Sequence, residues 1–331
     1  MNARMIGTIS FLVVGMGLCG PLLDARTAAG APVFTADEKG GTVSAVDPDT
    51  GALLAQIKGL TAPHNIHMGP DGLLYATDGP NNVAVRIDPK NYKILDRWPT
   101  GRNPAHVFVT PDQKYILVTN SDSDEVTVTD RKTLRSIARI PTGGHPHGIS
   151  IRPDGRYAFV ANISSSDLTV IDLEGLKPRT AVKLQGETGI QAWVTPDGRW
   201  VYVASLNPKG RGVVTKIDAA SFTVAAAIQV GLKPAQLGVT PDGRHVLVCN
   251  QGSNSISVID VKTDKVIKEI PGRGDWTHGI SFSGDGRWAY LTNTKSDNIS
   301  VLDLGTLEVV RTIPVGRGPN GIAASYPYRG R

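Results

Sequence analysis

The chain has 331 residues, enough for one large or two ordinary domains, and its hydrophobic content of 40% is ample for a packed core, which excludes wholesale disorder. Glycine (37 residues) and proline (22 residues) are unusually frequent, so turns are expected throughout and long helices are excluded. The formal net charge of +5 is mild for this length and does not indicate a nucleic-acid partner.

The first predicted element is a signal peptide over residues 1–29. Arg4 supplies a short positive region, Met5–Leu18 is apolar, and Thr27-Ala28-Ala29 has the small-residue pattern that precedes a cleavage site. The apolar stretch is too short for a membrane span, and Leu18 before Cys19 argues against lipidation. We therefore expect a periplasmic or secreted protein whose mature chain has no membrane span. A retained anchor helix is the alternative.

A repeat of about 42 residues fills the rest of the chain. One marker is an aspartate that follows an apolar residue or threonine, and the other is a Pro-Asp-Gly turn or a near variant of it. In one full unit, His147–Asn162 contains strands A and B, Asp167–Asp172 is strand C and Arg179–Leu184 is strand D. Four short strands in each repeat are typical of a propeller blade. The aspartates of the first marker are Asp47, Asp88, Asp130, Asp172, Asp218, Asp260 and Asp303, and those of the second are Asp71, Asp112, Asp154, Asp197, Asp242 and Asp285.

The first marker occurs seven times and predicts seven blades in a single domain, residues 30–331. After residue 29 the chain begins at a strand B (Pro32–Asp37), followed by C (Thr42–Asp47) and D (Leu53–Lys58). It ends just after a surplus strand A (Gly321–Ser325). This last strand is predicted to complete the first blade and close the ring, which removes open sheet edges. We thus predict an all-β, seven-bladed β-propeller, and we expect it to be a monomer.

The repeat resembles the YVTN family of β-propeller repeats. The resemblance is carried by Phe159–Asn162, Leu117–Asn120 and Tyr290–Asn293, by the Pro-Asp-Gly turns, and by the step Val258–Thr263; it spans about residues 32 to 326. The fifth blade departs from the pattern, with Ser205 in the asparagine column and the basic insert Pro208-Lys-Gly-Arg211, and the first two blades have Asp37 and Asp78 in that column. The resemblance implies an extracytoplasmic bacterial protein, but it does not imply one function, because the family is functionally mixed.

The recurrent aspartates and asparagines are interpreted as turn-bonding groups, because they repeat in every blade. Histidines are distributed differently: six of the seven lie in the loops before strand A or at its start, at the mouth of the predicted channel. Counting back from each A–B turn aligns His64, His147 and His278, with Asn320 at the same place in the last unit, whereas His106 falls one residue later. Three imidazoles from separate blades predict a zinc or copper site. Hydrogen bonds from each histidine to a neighbouring loop are the alternative.

Cationic side chains precede strand A in several blades, at the same mouth: Arg102, Lys233, Arg273 and Arg317. Together with His106 and Asn320 they form a candidate site for a small anionic ligand, since arginine matches carboxylate and phosphate geometry. Ordinary solvated loop charge is the alternative interpretation. A bound metal and these cations are compatible only if the ligand is an anion.

Three classes of function remain open at this point. The first is an exported binding or accessory protein that uses the mouth for an anion, a metal ion or a partner loop. The second is a metal-dependent lyase or hydrolase, because Pro63–Gly72 is similar to repeats in propeller lyases, where the resemblance implies that histidines matching His64, His147 and His278 hold zinc. No general acid or base can be singled out for that second class. The third is a protein-interaction scaffold. A lactonase role on sugar phosphates, known for related seven-bladed folds, fits poorly with export.

Overall fold

The computed structural model describes residues 31–207 and 210–324, which form 28 β-strands in seven four-stranded antiparallel sheets. Blade 1 contains β28 and β1–β3; blades 2 to 7 take the following strands four at a time. In chain order the strands are β1 (Val33–Asp37), β2 (Thr42–Val46), β3 (Leu53–Ile57), β4 (Pro63–Met68), β5 (Leu74–Asp78), β6 (Val83–Asp88), β7 (Lys93–Pro99), β8 (Pro104–Val109), β9 (Tyr115–Asn120), β10 (Glu125–Asp130), β11 (Ser136–Pro141), β12 (Pro146–Ile151), β13 (Tyr157–Asn162) and β14 (Asp167–Asp172). The second half comprises β15 (Lys177–Lys183), β16 (Thr188–Val194), β17 (Trp200–Leu206), β18 (Arg211–Asp218), β19 (Val224–Leu232), β20 (Pro234–Val239), β21 (His245–Asn250), β22 (Ser255–Asp260), β23 (Lys265–Pro271), β24 (Thr277–Phe282), β25 (Trp288–Asn293), β26 (Asn298–Asp303), β27 (Glu308–Pro314) and β28 (Pro319–Ala323).

The seven-bladed propeller predicted from the repeat is confirmed, and its closure is made by the last strand. In blade 1, β28 pairs with β1 in antiparallel register, with Phe34 opposite Ala323 and Asp37 opposite Pro319. The strand begins two residues before the predicted Gly321, because Pro319 takes the place that Pro63 and Pro146 have at the start of β4 and β12. The ring is therefore closed by hydrogen bonds between the two ends of the domain.

The core lies between the blades. Among the described residues there are seven clusters of buried apolar side chains, and each is filled by two neighbouring blades. In the cluster between blades 1 and 2, for example, Phe34 and Val43 meet Ile66 and Leu74. Each blade thus buries both of its faces against neighbours, which explains the continuous β-branched and apolar runs of strands B and C.

The repeated polar residues hold turns and loops, as interpreted from the sequence. The carboxylate of Asp130 accepts hydrogen bonds from the backbone N–H groups of Lys132 and Thr133, and Asp47 does the same two and three residues on. In the asparagine column, Asn120 Oδ1 accepts a hydrogen bond from Gly101 N–H and its Nδ2 donates to Thr127. Side chains of both columns thus stabilise the blade, except that the hydroxyl of Ser205 in the fifth blade is buried without a partner among the described residues.

Some predictions fall outside the described residues. The signal peptide, its cleavage after Ala29 and Cys19 all lie before residue 31; Pro208, Lys209 and Ser325 lie outside as well. Export therefore stays a prediction. Within the described part of the chain, no helix has the length and apolar character needed to cross a membrane.

Candidate functional site

A β-bulge at the start of strand A directs side chains into the channel mouth. In blade 2, Pro63 pairs with Asp78 and Ile66 pairs with Ala76, so that two residues, His64 and Asn65, stand opposite one. The same shift occurs in blade 3 between Pro104 and Val107 and in blade 4 between Pro146 and Ile149. A bulge interrupts the strict alternation of side chains across a strand. A histidine at either position of the extra pair can therefore join one group, with His64 and His147 at the first position and His106 at the second.

The bulges bring three histidines from adjacent blades into one group. His64, His106 and His147 each offer a ring nitrogen within 4.8 Å of the other two. Their ring centroids are 5.1 Å apart for His64 and His147, 4.7 Å for His106 and His147, and 5.8 Å for His64 and His106. We refer to these three residues as the histidine cluster. Three nitrogens bound tetrahedrally to one zinc ion would lie about 3.3 Å apart, so small side-chain movements would complete the set.

In the histidine cluster, the Nε2 atoms of His64 and His147 face each other. His147 Nδ1 lies 3.0 Å from the carbonyl oxygen of Ile190, which only accepts, so Nδ1–H donates and the Nε2 lone pair is left free. His64 Nδ1 lies 3.4 Å from Glu38 Oε1, and its Nε2 lies 3.1 Å from His147 Nε2. Two imidazole nitrogens at this distance are joined either by an N–H···N hydrogen bond, in which case His64 Nδ1 accepts from Asn320 Nδ2, or by a cation between them.

Glu38 is the site residue that sequence reasoning missed. It follows β1, and its Oε2 accepts a hydrogen bond of 2.6 Å from Asn320 Nδ2, which itself lies 3.1 Å from His64 Nδ1. Burial raises the pKa of Glu38, but hydrogen bonds from His64 and Asn320 and the charges of His64 and His278 together lower it to about 2. A signal was present, because the residue after the asparagine column is acidic in this blade alone: the others have Gly79, Ser121, Ile163, Leu206, Gln251 and Thr294.

His106 and His278 have different surroundings. Both ring nitrogens of His106 are buried and have no hydrogen-bond partner among the described residues. Burial, followed by the neighbouring His147 and His64, holds the pKa of His106 well below its ordinary value. His278 Nδ1 is likewise buried without a partner, but His278 lies outside the histidine cluster. The structure therefore brings together His64 and His147 from the predicted metal set, with His106 as the third member where the spacing indicated His278.

Thr119 fixes the backbones of two members of the histidine cluster. Its Oγ1 accepts a hydrogen bond of 2.9 Å from the N–H of His106 and donates one of 2.7 Å to the carbonyl oxygen of His147 in the next blade. Thr119 is the threonine of the Leu117–Asn120 motif. Thr292 has the equivalent contacts in blade 7, with the N–H of Gly279 and the carbonyl oxygen of Asn320.

These equivalent threonines allow a matched test of positioning. Thr119→Val and Thr292→Val each remove two buried hydrogen bonds, so each is expected to lower the free energy of unfolding by about 1–3 kcal/mol. Only Thr119→Val is expected to weaken zinc binding as well, by about tenfold, because it loosens His106 against His147. Chemical denaturation and zinc titration of both variants make the comparison. Equal zinc affinities in the two variants would contradict this role.

The predicted cations lie on exposed loops around the mouth, and the three arginines contact backbone carbonyls. Arg102 donates to the carbonyl oxygen of Asp122, Arg273 to that of Val310 and Arg317 to that of Lys39. Lys233 is exposed and its backbone is left-handed, with φ of 49°. The anion site predicted from these residues stays a prediction. Asn320, assigned to the same site, lies beside Glu38 and His64.

A further histidine lies deeper in the channel and makes stability depend on pH. The His67 ring stacks on Phe108 with centroids 4.0 Å apart, and burial lowers its pKa to about 4, partly offset by Asp71. Since the unfolded chain binds this proton near pH 6.5, the stabilising contribution is complete above that pH and is lost as the pH falls toward 4.

The corresponding test compares the wild-type chain with His67→Gln in the presence of chelator. When the pH is lowered from 6.5 to 4, the free energy of unfolding is expected to fall in both proteins, and to fall by about 1–2 kcal/mol less in His67→Gln than in the wild-type chain. This difference is smaller than the lowered pKa of His67 alone would give, because water in the channel screens the charge. Denaturant titrations at several pH values provide the measurement. Identical pH dependence in the two proteins would show that His67 titrates normally.

Comparisons with known proteins agree on the class of fold. Residues 31–178 match the family described as lactonase, 7-bladed beta-propeller, and residues 225–326 match the YNCE-like beta-propeller family. Each match covers less than half of the chain. The β-propeller is thereby supported, and the YVTN name stays a resemblance.

Individual relatives are distant or match over a short stretch. A segment of 77 residues is 36% identical to dihydro-heme d1 dehydrogenase of Pseudomonas aeruginosa, and it covers 23% of this chain and only 15% of that protein. Among solved structures, hydrazine synthase of Kuenenia stuttgartiensis has a TM-score of 0.72 at 21% identity over 81% of this chain and 94% of that one. A functionally unknown protein from Desulfotomaculum acetoxidans has a TM-score of 0.79 at 17% identity over 90% and 99%. Dihydro-heme d1 dehydrogenase NirN in complex with DHE has a TM-score of 0.65 at 19% identity over 88% and 74%. At these identities the structural matches show the fold alone.

Proposed function

We propose that this propeller is a binding or accessory protein whose channel mouth holds a zinc or copper ion through His64, His106 and His147. The observation that carries the proposal is the facing pair of Nε2 atoms, 3.1 Å apart, with the unpartnered ring of His106 beside them. A divalent cation would satisfy all three rings at once, and neutral imidazole is a preferred ligand of both metals.

The surroundings of the histidine cluster support the same proposal. Glu38 would accept the Nδ1–H of His64 and the carbonyl of Ile190 that of His147, which is the outer arrangement that orients metal-binding histidines. The carboxylate of Glu38 also offsets one positive charge of the ion. Three protein ligands leave a fourth position open, and a small anion or a group from a partner protein is the ligand we propose there, attracted by the exposed Arg102 and Arg317.

Metal analysis of the full chain tests the proposal. The protein is purified without chelator, through an affinity tag that lacks histidine, and its metal content is measured by mass spectrometry. We expect close to one zinc or copper ion per chain, or uptake of one equivalent on dialysis against either metal. Protein that contains no metal and takes up none would overturn the proposal and leave the three histidines as a structural hydrogen-bonded group.

A second candidate is a haem-type tetrapyrrole, which the two matches to dihydro-heme d1 dehydrogenase favour. Histidine is a common axial ligand of haem iron, and His64 is the most accessible of the three, with 21% of its side chain exposed. Titration with haemin tests this candidate separately from zinc. A shifted Soret band that is lost in His64→Ala supports it, and an unchanged spectrum excludes it.

A further inference from the structure

The channel contains a chamber below the histidine cluster, and of the three cluster residues only His106 lines it. It has a volume of about 320 Å³ and extends from the level of His106 toward the A–B turns at the opposite face. The prolines of those turns line that end: Pro70, Pro111, Pro153, Pro196 and Pro241. The chamber is therefore approached from the face opposite the mouth.

The walls of the chamber are mostly apolar, and His67 and His106 are the titratable side chains among the described lining residues. Phe108, Trp193 and Phe282 line it from three different blades, and Phe108 and Trp193 meet edge to face with centroids 6.5 Å apart. Among the described residues that line it there is no aspartate, glutamate, lysine or arginine. Moving an ion from water into such a space costs far more desolvation free energy than moving a neutral molecule of the same shape. The chamber therefore favours an uncharged ligand.

Two amide side chains in the chamber have atoms without hydrogen-bond partners. Ser150 accepts a hydrogen bond from the N–H of Val194 in β16, and Ser281 accepts one from the N–H of Ala324, directly after β28. By contrast, Gln191 Oε1 and Gln236 Nε2 are buried without partners, although the two residues are only 2% and 5% exposed. One is an acceptor and the other a donor, on adjacent blades, and buried polar groups of this kind are normally satisfied.

We propose that this chamber is a binding site for a small, flat, uncharged molecule with an amide-type edge. The ring of such a ligand would pack against Phe108 and Trp193. The two amide groups are covered by neighbouring atoms in the unliganded chain, so binding would require both side chains to rotate. Gln191 Oε1 would then accept a hydrogen bond from the N–H of the ligand, and Gln236 Nε2 would donate one to its carbonyl. The absence of a side chain at Gly148 allows Gln191 to take its position, because a Cβ at Gly148 would collide with Oε1 and Cα of Gln191. The chamber site does not depend on a metal at the mouth.

Three probes of nearly equal shape test the chemistry: benzamide, which has a donor and an acceptor; acetophenone, which has only the acceptor; and benzoate, which is charged. Calorimetric titrations use the full chain treated with chelator, so that the outcome is independent of the metal proposal. We expect benzamide to bind at least tenfold more tightly than acetophenone, and benzoate to bind most weakly.

Variants assign the contacts. Gln191→Leu is expected to weaken the binding of benzamide about tenfold and to leave the binding of acetophenone unchanged. Gln236→Leu is expected to weaken the binding of both compounds. Ser150→Phe fills the chamber and is expected to abolish the binding of both. Circular dichroism and melting curves verify that each variant is folded. If a variant fails to fold, the order of the three binding affinities on the wild-type chain still tests the proposal. Benzoate binding as tightly as benzamide, no binding of any probe, or binding that survives Ser150→Phe would overturn the proposal.

Discussion

Deleting Pro319–Arg331 is expected to lower the melting temperature by more than about 10 °C or to abolish cooperative unfolding. The deletion removes β28, which is the innermost strand of blade 1 and pairs with β1. Buried Ile322, Ala323 and Ala324 leave the core, and β1 acquires an unpaired edge. Because each blade packs against two neighbours, an open ring exposes apolar surface on blades 7 and 2 as well.

The matched control for this truncation deletes only residues 325–331, which retains β28. We expect that shorter deletion to leave the melting temperature within about 3 °C of the full chain. Differential scanning calorimetry of the three chains makes the comparison. A melting temperature that is unchanged by the longer deletion would refute closure by the last strand.

His64→Ala and His147→Ala are each expected to lower zinc affinity by at least a hundredfold. Two imidazoles cannot replace three with good geometry, and each substitution also removes one of the two facing Nε2 atoms. His245→Ala is the control, because His245 begins β21, just after an A–B turn and away from the mouth. Competition titrations with a zinc-binding dye measure the affinities. Wild-type affinity in both mouth variants would show that the histidines only bond neighbouring loops.

The fold could be predicted from the sequence because the repeat is marked by turn chemistry. Each blade places an aspartate where its side chain accepts backbone N–H groups, and such local hydrogen bonds depend only on nearby residues. The last strand was predicted two residues late, although Pro319 stands where Pro63 and Pro146 begin β4 and β12. The repeat does not report the register of β28 against β1. That register depends on pairs such as Asp37 with Pro319, which are distant in the chain.

The grouping of the histidines was predicted less completely than the fold, for two physical reasons. Counting residues back from the turn treats strand A as regular, so His278 was grouped with His64 and His147, and His106 was assigned to the ligand site. The structure instead groups His106 with His64 and His147, because the bulge lets residues one position apart approach each other; which of these residues hold a ligand stays a prediction. Glu38 meets His64 of the next blade, 26 residues further along the chain, and it meets Asn320 only when the ring closes, across 282 residues. Contacts of this range leave no periodic trace in a sequence.

The most direct test of the proposed centre is zinc titration of His106→Ala and His278→Ala side by side. The arrangement of the histidine cluster predicts at least a hundredfold loss of affinity for His106→Ala and less than a threefold change for His278→Ala, since His278 lies outside the group. Both substitutions remove a buried imidazole, so melting curves of the two variants control for general destabilisation. The reverse order, with His278→Ala losing zinc and His106→Ala retaining it, would contradict the site as described.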